Sequence, residues 1–147
     1  MACPLFIPTN SLGELVAIAA PLGDLYGGHC SADPAADIEP DTLRRYCNFG
    51  YARRFCARAG GSEADAVRLL VRGERGSLVQ VAWALERDHH PVAVGVIEVG
   101  VTDVETSGES MSAGDALALQ AFACASAYVR QVHRRGFVDQ IAVSAHP

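Results

Sequence analysis

The stretch Leu78-Val-Gln-Val-Ala-Trp-Ala-Leu85 places Val79, Val81 and Trp83 on one face and Gln80 on the other. This two-residue alternation is typical of a half-buried β-strand. Residues 66–72 and 92–101 are also rich in branched apolar side chains, and only short polar turns join them to the central stretch. Because parallel strands need a long crossover, the sequence predicts an antiparallel meander.

Beyond the third strand, a polar segment leads to an alanine-rich stretch that begins near Asp115 and ends near Gly136. Its apolar residues recur at helical spacing, so it is predicted to be a long C-terminal helix. A sheet of three or four strands must bury one face, and this helix is the predicted cover. Residues 137–143 are predicted to add a short strand.

Residues 1–60 show little regular pattern. A capping box at Ser11-Leu-Gly-Glu14 predicts a short helix over 12–20, and residues 21–30 are interpreted as a glycine-rich loop. A second short helix is predicted over 43–47. The fold class is therefore predicted as α+β in a single domain, residues 1–147. In this interpretation a cysteine-bearing wrap of loops and helices, residues 1–60, surrounds a sheet-plus-helix core, residues 61–147.

Four of the five cysteines lie in this wrap, at spacings of 26, 16 and 8 intervening residues: Cys3, Cys30, Cys47 and Cys56. Apolar runs are too short for a membrane span, and no signal peptide is visible, so a reducing cytoplasm is expected. In that compartment a cysteine group indicates metal binding or catalysis more than disulfides. An odd total fits four ligands and one bystander.

The four thiolates are predicted to hold an iron–sulfur cluster, most simply a 4Fe-4S cluster. Structural zinc sites normally use pairs of cysteines with two to four residues between them, and this chain has no such pair. The predicted function is a small protein of electron transfer or redox sensing, working with a redox or regulatory protein partner. A zinc-stapled interaction module is the first alternative, and a cofactor-free enzyme using cysteine and histidine is the second.

Charge is unevenly distributed along the wrap. Residues 1–43 contain six carboxylates and no arginine or lysine, whereas residues 44–58 contain five arginines and no carboxylate. Guanidinium groups near Cys47 and Cys56 would stabilise an anionic cluster. Three glycines could also favour a cluster, because glycine lets backbone N–H groups approach a ligand. They are Gly27, Gly28 and Gly50.

The remaining candidates are weighed against simpler interpretations. His29 adjoins Cys30 and is a possible substitute ligand, while Asp88-His89-His90 is interpreted as a polar hairpin turn. Cys124 falls on the apolar side of the last helix and is predicted to be a buried, inert thiol. The formal net charge of −5 gives no reason to expect nucleic-acid binding. Oligomeric state is left open.

Overall fold

The computed structural model describes residues 1–13, 20–100 and 115–144, with side chains described as far as residue 132. Five strands and two α-helices occur in this part of the chain. They are, in order, β1 (Phe6–Gly13), β2 (Leu25–Cys30), α1 (Pro40–Thr42), β3 (Ala66–Arg75), β4 (Leu78–Arg87), β5 (His90–Gly100) and α2 (Ala116–Ser144). A π-helical turn, Leu43–Cys47, continues α1, and a 3-10 turn spans Ala57–Gly61.

The predicted meander is confirmed: β3, β4 and β5 form an antiparallel sheet in that order, with β4 in the centre. Two-residue turns join the strands, since Arg75 pairs with Leu78 and Arg87 with His90. Asp88 and His89 both have positive φ, at 49° and 64°. Paired positive φ values match the right-handed twist of a tight hairpin, so the predicted hairpin turn is confirmed at Asp88 and His89, while His90 already begins β5.

Helix α2 covers one face of this sheet, and the α+β class is confirmed. The face is lined by alternate residues of β4, as its sequence pattern predicts, and small helix residues allow a close approach. The buried residues shared by sheet and helix are Val79, Val81, Val99, Ala121, Cys124, Ala125 and Val129. Trp83 lies on the same face, where its ring crosses Gly95 so closely that a β-carbon there would come within 2.6 Å.

Three predictions of local structure are wrong for the residues that the structure describes. Residues 12 and 13, expected to begin a helix over 12–20, belong to β1, and residues 14–19 lie outside the described residues. The expected loop over 21–30 contains β2, which pairs antiparallel with β1. The expected strand over 137–143 is part of α2, which continues to Ser144. The first sixty residues are therefore not a wrap of loops and helices alone, because they contain a two-stranded sheet.

Buried polar contacts fasten this small sheet to α2. The fully buried Gln120 amide donates hydrogen bonds to the carbonyls of Cys3 (2.8 Å) and Phe6 (2.7 Å). Tyr26 donates its hydroxyl to the Ala123 carbonyl at 2.8 Å. Arg130 forms an ion pair of 2.6 Å with the buried Asp24. Because buried polar groups are costly to leave unpaired, these contacts fix the position of β1 and β2 on the helix.

No helix in the described residues combines the length and apolarity needed to cross a bilayer.

The close pairing of β1 and β2 depends on Gly28. A β-carbon at this position would lie 2.1 Å from the Ile7 carbonyl oxygen and 2.8 Å from the Phe6 ring. Gly28→Ala is therefore expected to lower the free energy of unfolding by about 1–3 kcal/mol, the usual cost of forcing extra volume into a packed site.

Urea denaturation measures this change. Gly60→Ala is the matched control, because a β-carbon there meets no atom within 4 Å. A change of equal size in both variants would contradict the role given to Gly28.

Candidate functional site

The four cysteines of the predicted site line a single pocket in the structure. Cys3 and Cys30 are buried, while Cys47 and Cys56 are partly exposed. The other residues of the pocket wall are mostly apolar: Leu5, Phe6, Ile38, Thr42, Tyr46, Ala52, Arg58 and Ala59. Cysteines up to 53 positions apart in the sequence thus line one pocket, and each comes from a different segment of backbone.

Cys3 is placed by pairing of the chain start with the large sheet. Ala2 exchanges two backbone hydrogen bonds of 2.7 Å with Val67 on β3, so the first residues extend that sheet at its edge. The Cys3 N–H then donates to the Cys47 carbonyl at 2.9 Å. Cys30, at the end of β2, pairs with Phe6 of β1. The two buried thiols therefore stand on backbone that is already hydrogen-bonded.

Asn48 holds the segment that carries Cys47. Its side chain accepts a hydrogen bond from the Tyr26 N–H at 2.9 Å and donates to the carbonyls of Tyr26 and Leu43, both at 3.0 Å. The side chain is almost fully buried. An amide can satisfy an N–H and a carbonyl of a neighbouring strand together, so Asn48 fixes the π-helical turn against β2.

Cys56 lies in the turn that leads to the 3-10 helix. The N–H groups of Phe55 and Cys56 both donate to the Ala52 carbonyl at 2.8 Å, and Cys56 in turn accepts from Ala59 at 3.1 Å. Arg58 lies on the pocket wall and pairs with Asp33 at 3.4 Å. That ion pair joins the segment after Cys56 to the segment after Cys30.

Burial dominates the electrostatics of the thiols. It raises the pKa of Cys3 to about 11, although the backbone N–H groups of Leu5 and Phe6 act in the opposite direction. Burial, with the neighbouring cysteines, raises the pKa of Cys47 to about 12, while Arg58 lowers it. Both thiols are therefore harder to ionise than a free cysteine unless a metal stabilises the thiolate.

The arginines divide into three kinds. Arg58 faces the pocket, as expected for a group near Cys56. Arg53 is directed away, to an ion pair of 2.7 Å with the buried Asp65. Arg45 forms an exposed pair with Asp41, and neither Arg44 nor Arg54 has an ion-pair partner among the described residues. The positive charge of this segment is therefore partly neutralised and partly free at the surface.

The glycines serve packing. The space beside Gly27 is filled by Asn10, and Gly28 meets Ile7 and Phe6. Gly50 has a φ of 71° and approaches Ala2 and Ala66. These glycines allow strands and turns to come close together, and none of the three is among the described residues of the pocket wall.

The other sequence candidates lie elsewhere. His29 is on β2 next to Cys30, where neighbouring side chains point to opposite faces, and it is not among the residues of the pocket wall. His89 stacks on Tyr51, with ring centroids 4.3 Å apart. Cys124 is in the core between sheet and helix, so its predicted burial is confirmed, and desolvation raises its pKa to about 11.

The thiols share a pocket but are not collected around one point. In the described ranges, no group of three or more cysteine, histidine or carboxylate side chains is placed to hold a single metal ion. A single zinc ion would require every sulfur to lie about 2.3 Å from one centre. The four thiols share a pocket wall without forming a single-ion site in the part of the chain that the structure describes.

Two positioning residues were missed in the sequence. Asn48 follows Cys47 and precedes Phe49-Gly50, a polar residue that looks like ordinary turn chemistry. Gln120 is the single polar residue in the apolar first part of α2, residues 116–125, and that isolation is the one signal that could have indicated a buried contact. The partners of both are backbone groups distant in sequence, which residue patterns do not indicate.

No protein-family model, curated protein or solved structure matches this chain. Function is therefore inferred from the chemistry of the pocket.

The raised thiol pKa values predict a loss of stability in alkali for the reduced, metal-free protein. The folded-state pKa values of Cys3 and Cys47 lie above the ordinary 9.0. The protonated thiols therefore stabilise the fold fully below about pH 9, and this contribution is lost as the pH rises through about 11 to 12. Urea denaturation at about pH 8 and about pH 10.5 measures the fall.

A Cys3→Ala/Cys47→Ala double variant is the control for this experiment. It keeps Tyr26, Tyr51 and Cys124, whose raised pKa values also contribute to the alkaline loss. The fall is expected to be shallower in the double variant. Equal falls in both proteins would show that the two pocket thiols do not titrate as stated.

Proposed function

We propose that the protein binds an iron–sulfur cluster, a 4Fe-4S cluster in its simplest form, through Cys3, Cys30, Cys47 and Cys56. The observation that carries the proposal is that all four cysteines line one pocket. Thiolates are the ligands that iron–sulfur clusters use. The role follows from the cofactor: electron transfer or redox sensing with a redox or regulatory protein partner, in a reducing compartment such as the cytoplasm.

The protein surroundings suit an anionic cofactor. Arg58 is on the pocket wall, where it forms an ion pair with Asp33 and lowers the pKa of the Cys47 thiol. Hydrogen bonds to sulfur, charge and burial are the means by which a protein adjusts cluster potential. When bound, the cluster would supply one-electron redox chemistry, and the chain would hold it, exclude water with Leu5, Phe6 and Ile38, and balance its charge.

The origin of the four thiols in separate segments of the chain favours a cluster over zinc. The ligands of a cluster bind different iron atoms and can come from distant loops, whereas structural zinc usually takes two sulfurs from one close cysteine pair. The zinc-stapled interaction module remains the alternative that metal analysis would detect.

The second alternative, a cofactor-free enzyme, is less well supported by the pocket. A nucleophilic cysteine needs a lowered pKa and a neighbouring base. Burial instead raises the pKa of Cys3 and Cys47, and no histidine is among the described residues that line the pocket. Such thiols suit metal ligands, which lose their proton when the metal binds, better than they suit reactive nucleophiles.

Anaerobic purification tests the proposal directly. The protein is expected to be brown and to contain iron and acid-labile sulfide in comparable amounts, with little zinc. A colourless protein with one zinc per chain would support the interaction module. A protein that takes up neither metal, including after reconstitution with iron and sulfide, would leave the proposal without foundation.

Alanine substitution separates ligands from bystander. Removing a ligand leaves an iron site open, so Cys30→Ala, Cys47→Ala and Cys56→Ala are each expected to abolish or strongly deplete the cluster, and Cys3→Ala to do so to a similar or lesser degree. Iron, sulfide and visible absorbance are measured for each variant.

Cys124→Ala is the matched control, because this thiol is as buried as those of Cys3 and Cys30 but belongs to the core beneath α2. It is expected to keep full iron content and to cost on the order of 1 kcal/mol of stability. Normal iron in any of the Cys30, Cys47 or Cys56 variants would contradict the four-cysteine assignment.

Metal removal is expected to loosen residues 20–60 selectively. This region has few regular elements, so ligand bonds would supply part of its folding free energy. Limited proteolysis with and without the metal, followed by mass spectrometry, should show new cuts in 20–60 while β3, β4, β5 and α2 persist. Identical cleavage patterns would argue against structural coupling between metal and chain.

A further inference from the structure

A large aromatic side chain stands exposed beside the pocket. Phe55 leaves 70 % of its surface accessible to solvent. Its ring stacks on that of Tyr46, with centroids 5.2 Å apart and planes 11° from parallel. Tyr46 lies on the pocket wall, and Phe55 directly precedes Cys56. The stacked pair therefore runs from the pocket to the surface, and exposed aromatic rings are favoured anchors of protein interfaces.

The segment that carries this pair is strongly cationic. Residues 44–58 contain five arginines and no carboxylate, in a chain whose formal net charge is −5. Arg44 and Arg54 are exposed and have no ion-pair partner among the residues described. Arg45 pairs with Asp41, but both side chains are about two-thirds exposed, so solvent weakens that pair. Arg44 and Arg54 thus keep a positive charge that no ion pair among the described residues neutralises.

We propose that Phe55, Arg44 and Arg54 form the docking surface for an acidic electron-transfer protein. This inference rests on the proposed function, since it supplies the route to the cluster. One electron would leave the reduced partner and arrive on the cluster, with no bond made or broken and no proton required. Opposite charges steer the partners together, and the exposed ring supplies the short-range contact that sets their orientation.

A protein partner fits the surface better than a nucleic acid. Non-specific binding to a strand needs a row of cations along the backbone and several stacking rings in succession. Here one exposed ring and two arginines without an ion-pair partner in the described residues lie within one stretch of chain, residues 44–55. So few anchors suit the small interfaces of transient redox complexes.

The test uses the full chain, purified anaerobically, with an acidic 2Fe-2S ferredoxin as the probe. Binding is measured by titration at about 20 mM and about 500 mM salt, and electron transfer by stopped-flow absorbance with the reduced ferredoxin. Association is expected at low salt, with an affinity in the micromolar range, and is expected to be lost at high salt.

Two patch variants and one control define the surface. Phe55→Ala and the double variant Arg44→Glu/Arg54→Glu are each expected to weaken binding about tenfold. Arg72→Glu/Arg75→Glu makes the same charge change on exposed residues of β3 near its far end, and it is expected to leave binding within twofold of the wild type. Phe55→Leu keeps apolar volume without the ring and serves if the alanine variant proves unstable.

The outcomes separate this inference from the cluster assignment. An iron-containing protein that does not bind ferredoxin, or binds it equally in patch and control variants, overturns the docking surface and leaves the cluster intact. An iron-free protein that still binds through Phe55 upholds the surface and removes the cluster. Tighter binding of a single-stranded oligonucleotide through the same residues would overturn the protein partner.

Discussion

The two backbone hydrogen bonds between Ala2 and Val67 are the contact on which the candidate site depends. They attach the start of the chain to the edge of the large sheet, at the point where β3 begins. Cys3 follows immediately and is thereby brought to the Cys47 carbonyl. A terminus without such pairing would fray, and its thiol would have no fixed position. One short stretch of strand pairing thus sets the place of a buried cysteine.

Helix α2 joins this first segment of the chain to the core of the large sheet. Gln120 on α2 binds the carbonyls of Cys3 and Phe6, and the same helix packs on Val79 and Val81 of β4. The pocket is therefore supported from one side by the large sheet and from another by the helix that covers it. Because Gln120 is fully buried and its Oε1 has no partner among the described residues, the contact carries a desolvation cost that the two hydrogen bonds must offset.

The pocket combines two opposing electrostatic tendencies. Desolvation raises the pKa of Cys3 and Cys47 above the ordinary thiol value, whereas the backbone N–H groups of Leu5 and Phe6 lower the pKa of Cys3 and Arg58 lowers that of Cys47. Desolvation is the larger effect in the absence of a ligand. A bound metal centre would reverse the balance, because metal–sulfur bonds compensate the loss of solvent that a bare thiolate cannot tolerate. The same walls that disfavour free thiolates would then shield a cluster from water.

Local periodicity was enough to predict the meander and the helix that covers it. Apolar residues repeat every second position in β4 and every third or fourth position in α2. The sequence also singled out the four cysteines, since their number and setting are visible in one dimension. Tertiary structure alone decided that they share a pocket. The pairings of Ala2 with Val67, Asn48 with Tyr26 and Gln120 with Cys3 join backbone groups far apart in sequence, and such groups carry no residue-specific signal. For the same reason the sequence misjudged residues 12–13 and 25–30, where local turn chemistry was overridden by pairing between β1 and β2.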